Sequence, residues 1–121
     1  MRIVLVDDDP DLIEIMYLAL QQAGHAVIAA PGGVAVLSEI HAHPPDLVIT
    51  DLMMAEMDGL ELCQAVRADK TLADTKVVVV SARINDFWKD RAKSAGAVGY
   101  IEKPIDPMTF ADQVEQLGLK E

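Results

Sequence analysis

Asp46-Leu47-Val48-Ile49-Thr50-Asp51-Leu52-Met53-Met54-Ala55-Glu56-Met57-Asp58-Gly59 decides how the rest of the chain is read. Leu47 to Thr50 is a short apolar, partly β-branched run, the pattern of a strand buried on both faces. It delivers a carboxylate, Asp51, at its C-terminal end. In open α/β sheets the loops beyond the carboxyl ends of the strands are where ligands bind, so an acid placed there is either solvated or working.

The runs on either side share this design. Ile3-Val4-Leu5-Val6 is an apolar strand that stops at Asp7-Asp8-Asp9, and Pro10 suits the first turn of a helix capped by Asp9. Leu12, Met16, Ala19, Leu20 and Ala23 follow helical spacing, Ile13 and Ile15 widen the inward face, and Gly24 ends the helix. A second strand, His25 to Ala30, is followed by the loop Pro31-Gly32-Gly33. A helix from Val34 to His43 then turns Val34, Leu37 and Ile40 or His41 inward and is stopped by Pro44-Pro45. After Gly59 a third helix carries Leu60, Cys63 and Val66 on one face, with Asp58 as its turn or cap residue, and Arg67 to Thr75 reads as a polar connection. Val77-Val78-Val79-Val80 is strongly β-prone and ends at Ser81. Asp86 caps a fourth helix to about Ala95, and Gly96 stops it. Gly99 to Glu102 forms a fifth strand leading to Lys103-Pro104, and a last helix runs from about Pro107 to Leu117.

Alternating strands and helices predict an α/β fold, a doubly wound five-stranded parallel sheet, with residues 1–121 as one domain. Right-handed crossovers place all strand ends on one edge. That edge gathers Asp7, Asp8 and Asp9 from strand one, Asp51 from strand three, Ser81 from strand four and Lys103 from strand five.

Two carboxylates about 4 Å apart repel by roughly 4 kcal/mol at an effective dielectric of about 20. Such a cluster makes sense around a hard divalent cation. Mg²⁺ suits best, since it takes oxygen ligands, keeps waters and is normally shared with a phosphate. Beside it Asp51 is either a ligand only or also a nucleophile that takes a phosphoryl group as an acyl phosphate. The metal, the Lys103 ammonium and the Ser81 hydroxyl would each neutralise one phosphoryl oxygen. Asp9 reads as a helix cap rather than a metal ligand.

Composition narrows the function. With 51% hydrophobic residues the chain fills a core, and ten basic against twenty acidic residues give a net charge of −10, which argues against direct binding to nucleic acid or an anionic membrane. The single cysteine, Cys63, reads as a core residue, and its spacing from His25, His41 and His43 resembles no zinc site. No signal peptide or long apolar span is seen, and a cytoplasmic location is expected. Phe87 and Trp88 are adjacent, so both cannot face the core and at least one is a candidate for a partner surface. His41 and His43 read as helix-end residues favoured by the dipole.

Val6-Asp7-Asp8-Asp9-Pro10, Asp46 to Gly59, Ser81-Ala82, and Gly96 to Pro104 together resemble the receiver domains of two-component response regulators, the CheY-like superfamily, over essentially the whole chain. The resemblance implies a flavodoxin-like (βα)5 sheet of order 2-1-3-4-5. It implies Asp51 as phosphoacceptor and Mg²⁺ held by Asp8, Asp51 and the Met53 backbone carbonyl, with Asp7 acting through water. Lys103 would pair with the phosphoryl group, and Ser81 and Tyr100 would be the switch residues. The Lys103-Pro104 bond is usually cis in the family.

The implied function is a phosphoacceptor signalling domain rather than an enzyme, its chemistry limited to Mg²⁺-dependent self-phosphorylation and self-dephosphorylation. Its partners would be a histidine kinase or phosphotransfer protein and a downstream effector or C-terminal output domain. It would be a monomer or weak dimer through the face of the fourth helix, fifth strand and fifth helix. Ala55 stands where the family most often has proline, which points to a more mobile loop, and Arg83 near the site entrance is expected to alter the lifetime of the acyl phosphate. Three rivals remain. A haloacid-dehalogenase-like phosphohydrolase would use Asp7-Asp8-Asp9 but leaves Asp51 unexplained. A flavodoxin-like flavin carrier needs a hydroxyl-rich loop where this one is acidic. A phosphorylation-independent interaction module would have no use for an intact Asp51, Lys103 and Ser81.

Overall fold

The computed structural model describes residues 1–30, 32–54, 57–82 and 85–119. Five parallel strands, β1 (Arg2–Val6), β2 (Ala26–Ala30), β3 (Leu47–Asp51), β4 (Lys76–Ser81) and β5 (Gly99–Glu102), form one sheet in the order β2-β1-β3-β4-β5. The helices between and after them are α1 (Pro10–Gln22), α2 (Gly33–Ala42), α3 (Gly59–Ala68), α4 (Asp86–Ser94) and α5 (Phe110–Gly118). The three central strands are apolar without alternation because both their faces are covered. Ile3, Leu5, Leu47, Ile49, Val78 and Val80 pack with Met16 and Leu20 of α1 and Phe110 and Val114 of α5. Val4, Val6, Val48 and Val77 pack the opposite way, on Val36, Ile40, Leu62, Cys63 and Val66 of α2 and α3. Leu52, Val79 and Ala92 form a smaller cluster under α4, with Trp88, Leu60 and Tyr100 against it.

Helix ends follow local chemistry. Asp9 Oδ1 accepts from the backbone N–H groups of Asp11 and Leu12 at 3.0 and 3.3 Å, capping α1. Gly24 and Gly96, expected as stops, have φ of 95° and 104°, where a side chain would be strained. Asp58 and Glu61 form a reciprocal capping box at the start of α3.

Several expectations are corrected. Ile15 is 42% exposed and Val34 50% exposed, and Ala23 and His41 also face solvent. Ile40 is buried and Leu37 partly buried on the core as expected, and Val36, four residues before Ile40, takes the inward place expected of Val34. Arg67 to Thr75 is no simple polar link. Helix α3 continues to Ala68, a 3-10 turn at Lys70–Leu72 buries Leu72, and the buried Thr75 hydroxyl donates to the Pro45 carbonyl at 2.7 Å. Asn85 rather than Asp86 caps α4, its side chain accepting from the Trp88 N–H at 3.2 Å. Helix α5 begins at Phe110 and not near Pro107, because the Asp106 carboxylate accepts from the Met108 N–H and holds residues 107–109 in a turn. Cys63 is in the core as expected. Phe87 is 55% exposed while Trp88 packs inward, which resolves the adjacent aromatics. The expectations for Pro31, Ala55 and Arg83 lie outside the described residues. No described helix is long and apolar enough to cross a membrane.

Candidate functional site

The site lies at the C-terminal edge of the sheet, where the register brings the strand ends together. Val6 is paired with Thr50, Asp51 with Val80 and Ser81 with Glu102, so Asp7 and Asp51 emerge at one level, Ser81 one residue beyond it and Lys103 two. Asp7 is 2% exposed. Its N–H donates to the Ala30 carbonyl, and its Oδ1 accepts from the Asp9 N–H at 2.9 Å. With Asp7 turned inward and Asp9 engaged as the cap, Asp8 is the carboxylate of this run left at the rim, exposed.

Carboxylate oxygens of Asp7, Asp8 and Asp51 lie within 4.8 Å of one another. Lys103 Nζ stands 3.2 Å from Asp7 Oδ2 and 3.3 Å from Asp51 Oδ2, and the Lys103 N–H donates to the Ser81 carbonyl at 2.9 Å. The Lys103-Pro104 peptide is cis. Three formal negative charges therefore face one ammonium. Burial pushes the Asp51 carboxyl above its ordinary pKa and the Asp7 charge adds to the rise, although Lys103 and the Met53 N–H oppose it. At Lys103 burial pulls the pKa down, but Asp51 and Asp7 outweigh it and the net direction is up.

The structure thus brings together Asp7, Asp8, Asp51 and Lys103. Met53, 49% exposed, follows directly in the loop after β3. Ser81 ends β4 and is 2% exposed. Tyr100 lies farther down β5, half-buried against the Leu52–Val79–Ala92 cluster. The donor set fits a hard divalent ion, since every side-chain donor is a carboxylate oxygen and, among the described residues, one lysine leaves the cluster negative. Two features escaped sequence reasoning. One is the bridging of Asp7 by Lys103, a contact across 96 residues with no local signal. The other is the close approach of Gly59 to the Asp51 backbone, for which the only local sign was a glycine at a helix start.

A family model, the response regulator receiver domain, matches residues 3–115. The chain belongs to that family. This receiver domain is 35% identical over 116 residues to the DNA-binding dual master transcriptional regulator RpaA of Synechocystis, covering 96% of the chain and 48% of RpaA. Among solved structures, a response regulator from Chloroflexus aurantiacus matches with a TM-score of 0.91 at 28% identity, covering 98% of both chains. The Vibrio cholerae chemotaxis protein CheY4 matches with 0.90 at 27% identity, covering 96% of this chain and 97% of CheY4. The receiver domain spans about half the length of the curated transcriptional regulators it matches. It is a signalling domain of two-component systems, a family that binds Mg²⁺ at an acidic pocket, and its own acidic pocket is the Asp7–Asp8–Asp51 cluster.

Proposed function

We propose that residues 1–121 act as one receiver domain in which Asp51 takes a phosphoryl group from a histidine kinase or phosphotransfer protein. The observation that carries this is the placement of Asp51 at the end of the central strand, 3.3 Å from Lys103 Nζ and in reach of two further carboxylates. An Asp51 oxygen attacks phosphorus, the bond from phosphorus to the donor breaks, and the product is an acyl phosphate. Lys103 is already poised over the acceptor oxygen and would follow the charge onto the phosphoryl group. Asp8, Asp51 and the Met53 carbonyl would hold Mg²⁺ directly and Asp7 through water. When bound, the ion supplies neutralisation of the phosphoryl oxygens.

Ser81, one residue beyond the Asp51–Val80 pair on the neighbouring strand, would bond the phosphoryl group, and Tyr100 would respond. The resulting change on the α4, β5 and α5 face would alter binding of an effector or of an output domain C-terminal to this one, in the cytoplasm, as a monomer or weak dimer. Apart from this self-phosphorylation and its reversal no enzymatic activity is proposed. The family match leaves a phosphohydrolase or a flavin carrier without support; the first leaves Asp51 unexplained and the second needs a hydroxyl-rich loop where this one is acidic.

Incubation with acetyl phosphate and Mg²⁺ should add one phosphoryl group, detected by intact-protein mass spectrometry, and Asp51→Asn should add none. Equal labelling of the two proteins would overturn the assignment.

A further inference from the structure

The first turn of α3 sits against the backbone that carries the phosphoacceptor. The Gly59 N–H donates to the Leu52 carbonyl at 2.8 Å. A Cβ at residue 59 would stand 2.3 Å from the Asp51 carbonyl oxygen and 3.1 Å from both the Asp51 carbonyl carbon and the Leu52 Cα, where real Cβ atoms keep at least 3.0 Å. Gly59 has an ordinary helical backbone with no positive φ, so space rather than conformation demands glycine here. The obstacle is main chain, which cannot swing aside as a side chain would. The turn is also pinned from the other side. The Asp58 carboxylate accepts from the Glu61 N–H at 2.8 Å and the Glu61 carboxylate from the Asp58 N–H at 3.4 Å.

From this we infer that Gly59 is a positioning residue for phosphoryl transfer: the glycine lets α3 abut the Asp51–Leu52 peptide and thereby sets the Asp51 carboxylate against Lys103. The inference rests on Asp51 being the phosphoacceptor. Any side chain at 59 must push the Asp51–Leu52 peptide and α3 apart by about 0.7 Å or more to relieve the contact. Displacements near 1 Å at a reacting group cost on the order of 100-fold in rate. The Met53 carbonyl, two residues along the same backbone, would move with Asp51.

The test compares the 121-residue parent with Gly59→Ala, Asp58→Ala and Val66→Ala. Val66 is fully buried in the same helix, so its truncation supplies a loss of stability away from Asp51. Urea midpoints rank stability, and acetyl phosphate with Mg²⁺ gives the labelling rate. Mg²⁺ titration gives the dissociation constant, and amide spectra of the metal-free proteins report the backbone. Gly59→Ala should label about 10- to 100-fold more slowly, bind Mg²⁺ more weakly and shift the amides of Asp51, Leu52 and Met53 without any donor present. Val66→Ala should label at the parental rate. Asp58→Ala, which loosens the same turn without a clash and so serves if Gly59→Ala does not fold, should slow labelling several-fold. Parental labelling and parental Asp51 amides in the residue 58 and 59 variants would overturn the inference, as would an equal loss in Val66→Ala at matched stability. A parent that takes no label at Asp51 overturns the phosphoacceptor reading and the inference with it.

Discussion

Lys103 divides one ammonium between Asp7 and Asp51, whereas Asp8 at the rim makes no ion pair among the described residues. Without metal, Asp8 contributes repulsion and little else. At 4.8 Å in water one carboxylate pair costs about 0.9 kcal/mol, and the exposure of Asp8 makes the water value the appropriate one. Asp8→Asn should therefore stabilise the protein in chelator by about 1 kcal/mol at pH 7, read from urea unfolding, while abolishing labelling. A destabilised variant would contradict the repulsion argument. The gain should also depend on pH. The Asp51 pKa is raised above 3.8 in the fold, so folding favours its protonated form relative to the unfolded chain. The stability it contributes is fully present below 3.8 and is lost as pH rises through the raised value. Acidification through that window neutralises Asp51, removes one of the charges facing Asp8, and should shrink the difference between variant and parent.

Among the elements, the acidic run after β1 shows how three like residues acquire three roles from position alone. Asp7 is folded inward, Asp8 is left at the rim, and Asp9 spends its carboxylate on the end of α1. Asp9→Ala should cost about 1 kcal/mol of stability, the usual value of an N-cap, yet label at Asp51 as the parent does. A labelling defect larger than the stability loss explains would make Asp9 part of the metal site. Helix ends were legible because caps are local. The 3-10 turn was not, since it is tied down by partners remote in sequence. The Asp69 carboxylate is held at a pKa of about 2 by hydrogen bonds from His41 of α2 and from Thr71. His41 thus joins α2 to this turn, a role beyond the helix dipole.

At the scale of the molecule, the question is how a bond at Asp51 reaches a surface. Ser81 ends the strand next to β3. Tyr100 and Trp88 both pack on the small cluster of Leu52, Val79 and Ala92, and Leu52 directly follows Asp51. Movement of the Asp51 loop should therefore disturb the packing under α4. Shifting a two-state equilibrium from about 1:99 to 99:1 takes roughly 5.5 kcal/mol, which two or three charge-assisted bonds of about 1.5–3 kcal/mol each can supply. Ser81→Ala should accept a phosphoryl group but fail to relay it. Beryllium fluoride, standing in for the phosphoryl group, should shift the amides around Trp88, Tyr100 and α5 in the parent and much less in the variant. Identical shifts in both proteins would remove Ser81 from the relay. Phe87, exposed and stacked edge-on against Trp88 at 5.0 Å with Arg91 over its ring, offers the surface end of that path.

The order of strands and helices, the acidic strand ends and most helix boundaries were determined by the sequence itself, because period, caps and breakers act within a few residues. Val77 to Val80 admits little but a buried strand, and Asp9-Pro10 little but a helix start. Tertiary structure alone decided that Val36 and not Val34 of α2 turns inward, that Leu72 and Thr75 are buried, and that Lys103 bridges Asp7 as well as Asp51. It also decided that only glycine fits at residue 59, against the Asp51 carbonyl. Each of these depends on which distant backbone or side chain fills the adjoining space, and sterics and charge at 3 Å are set by packing between elements rather than by neighbours in the chain.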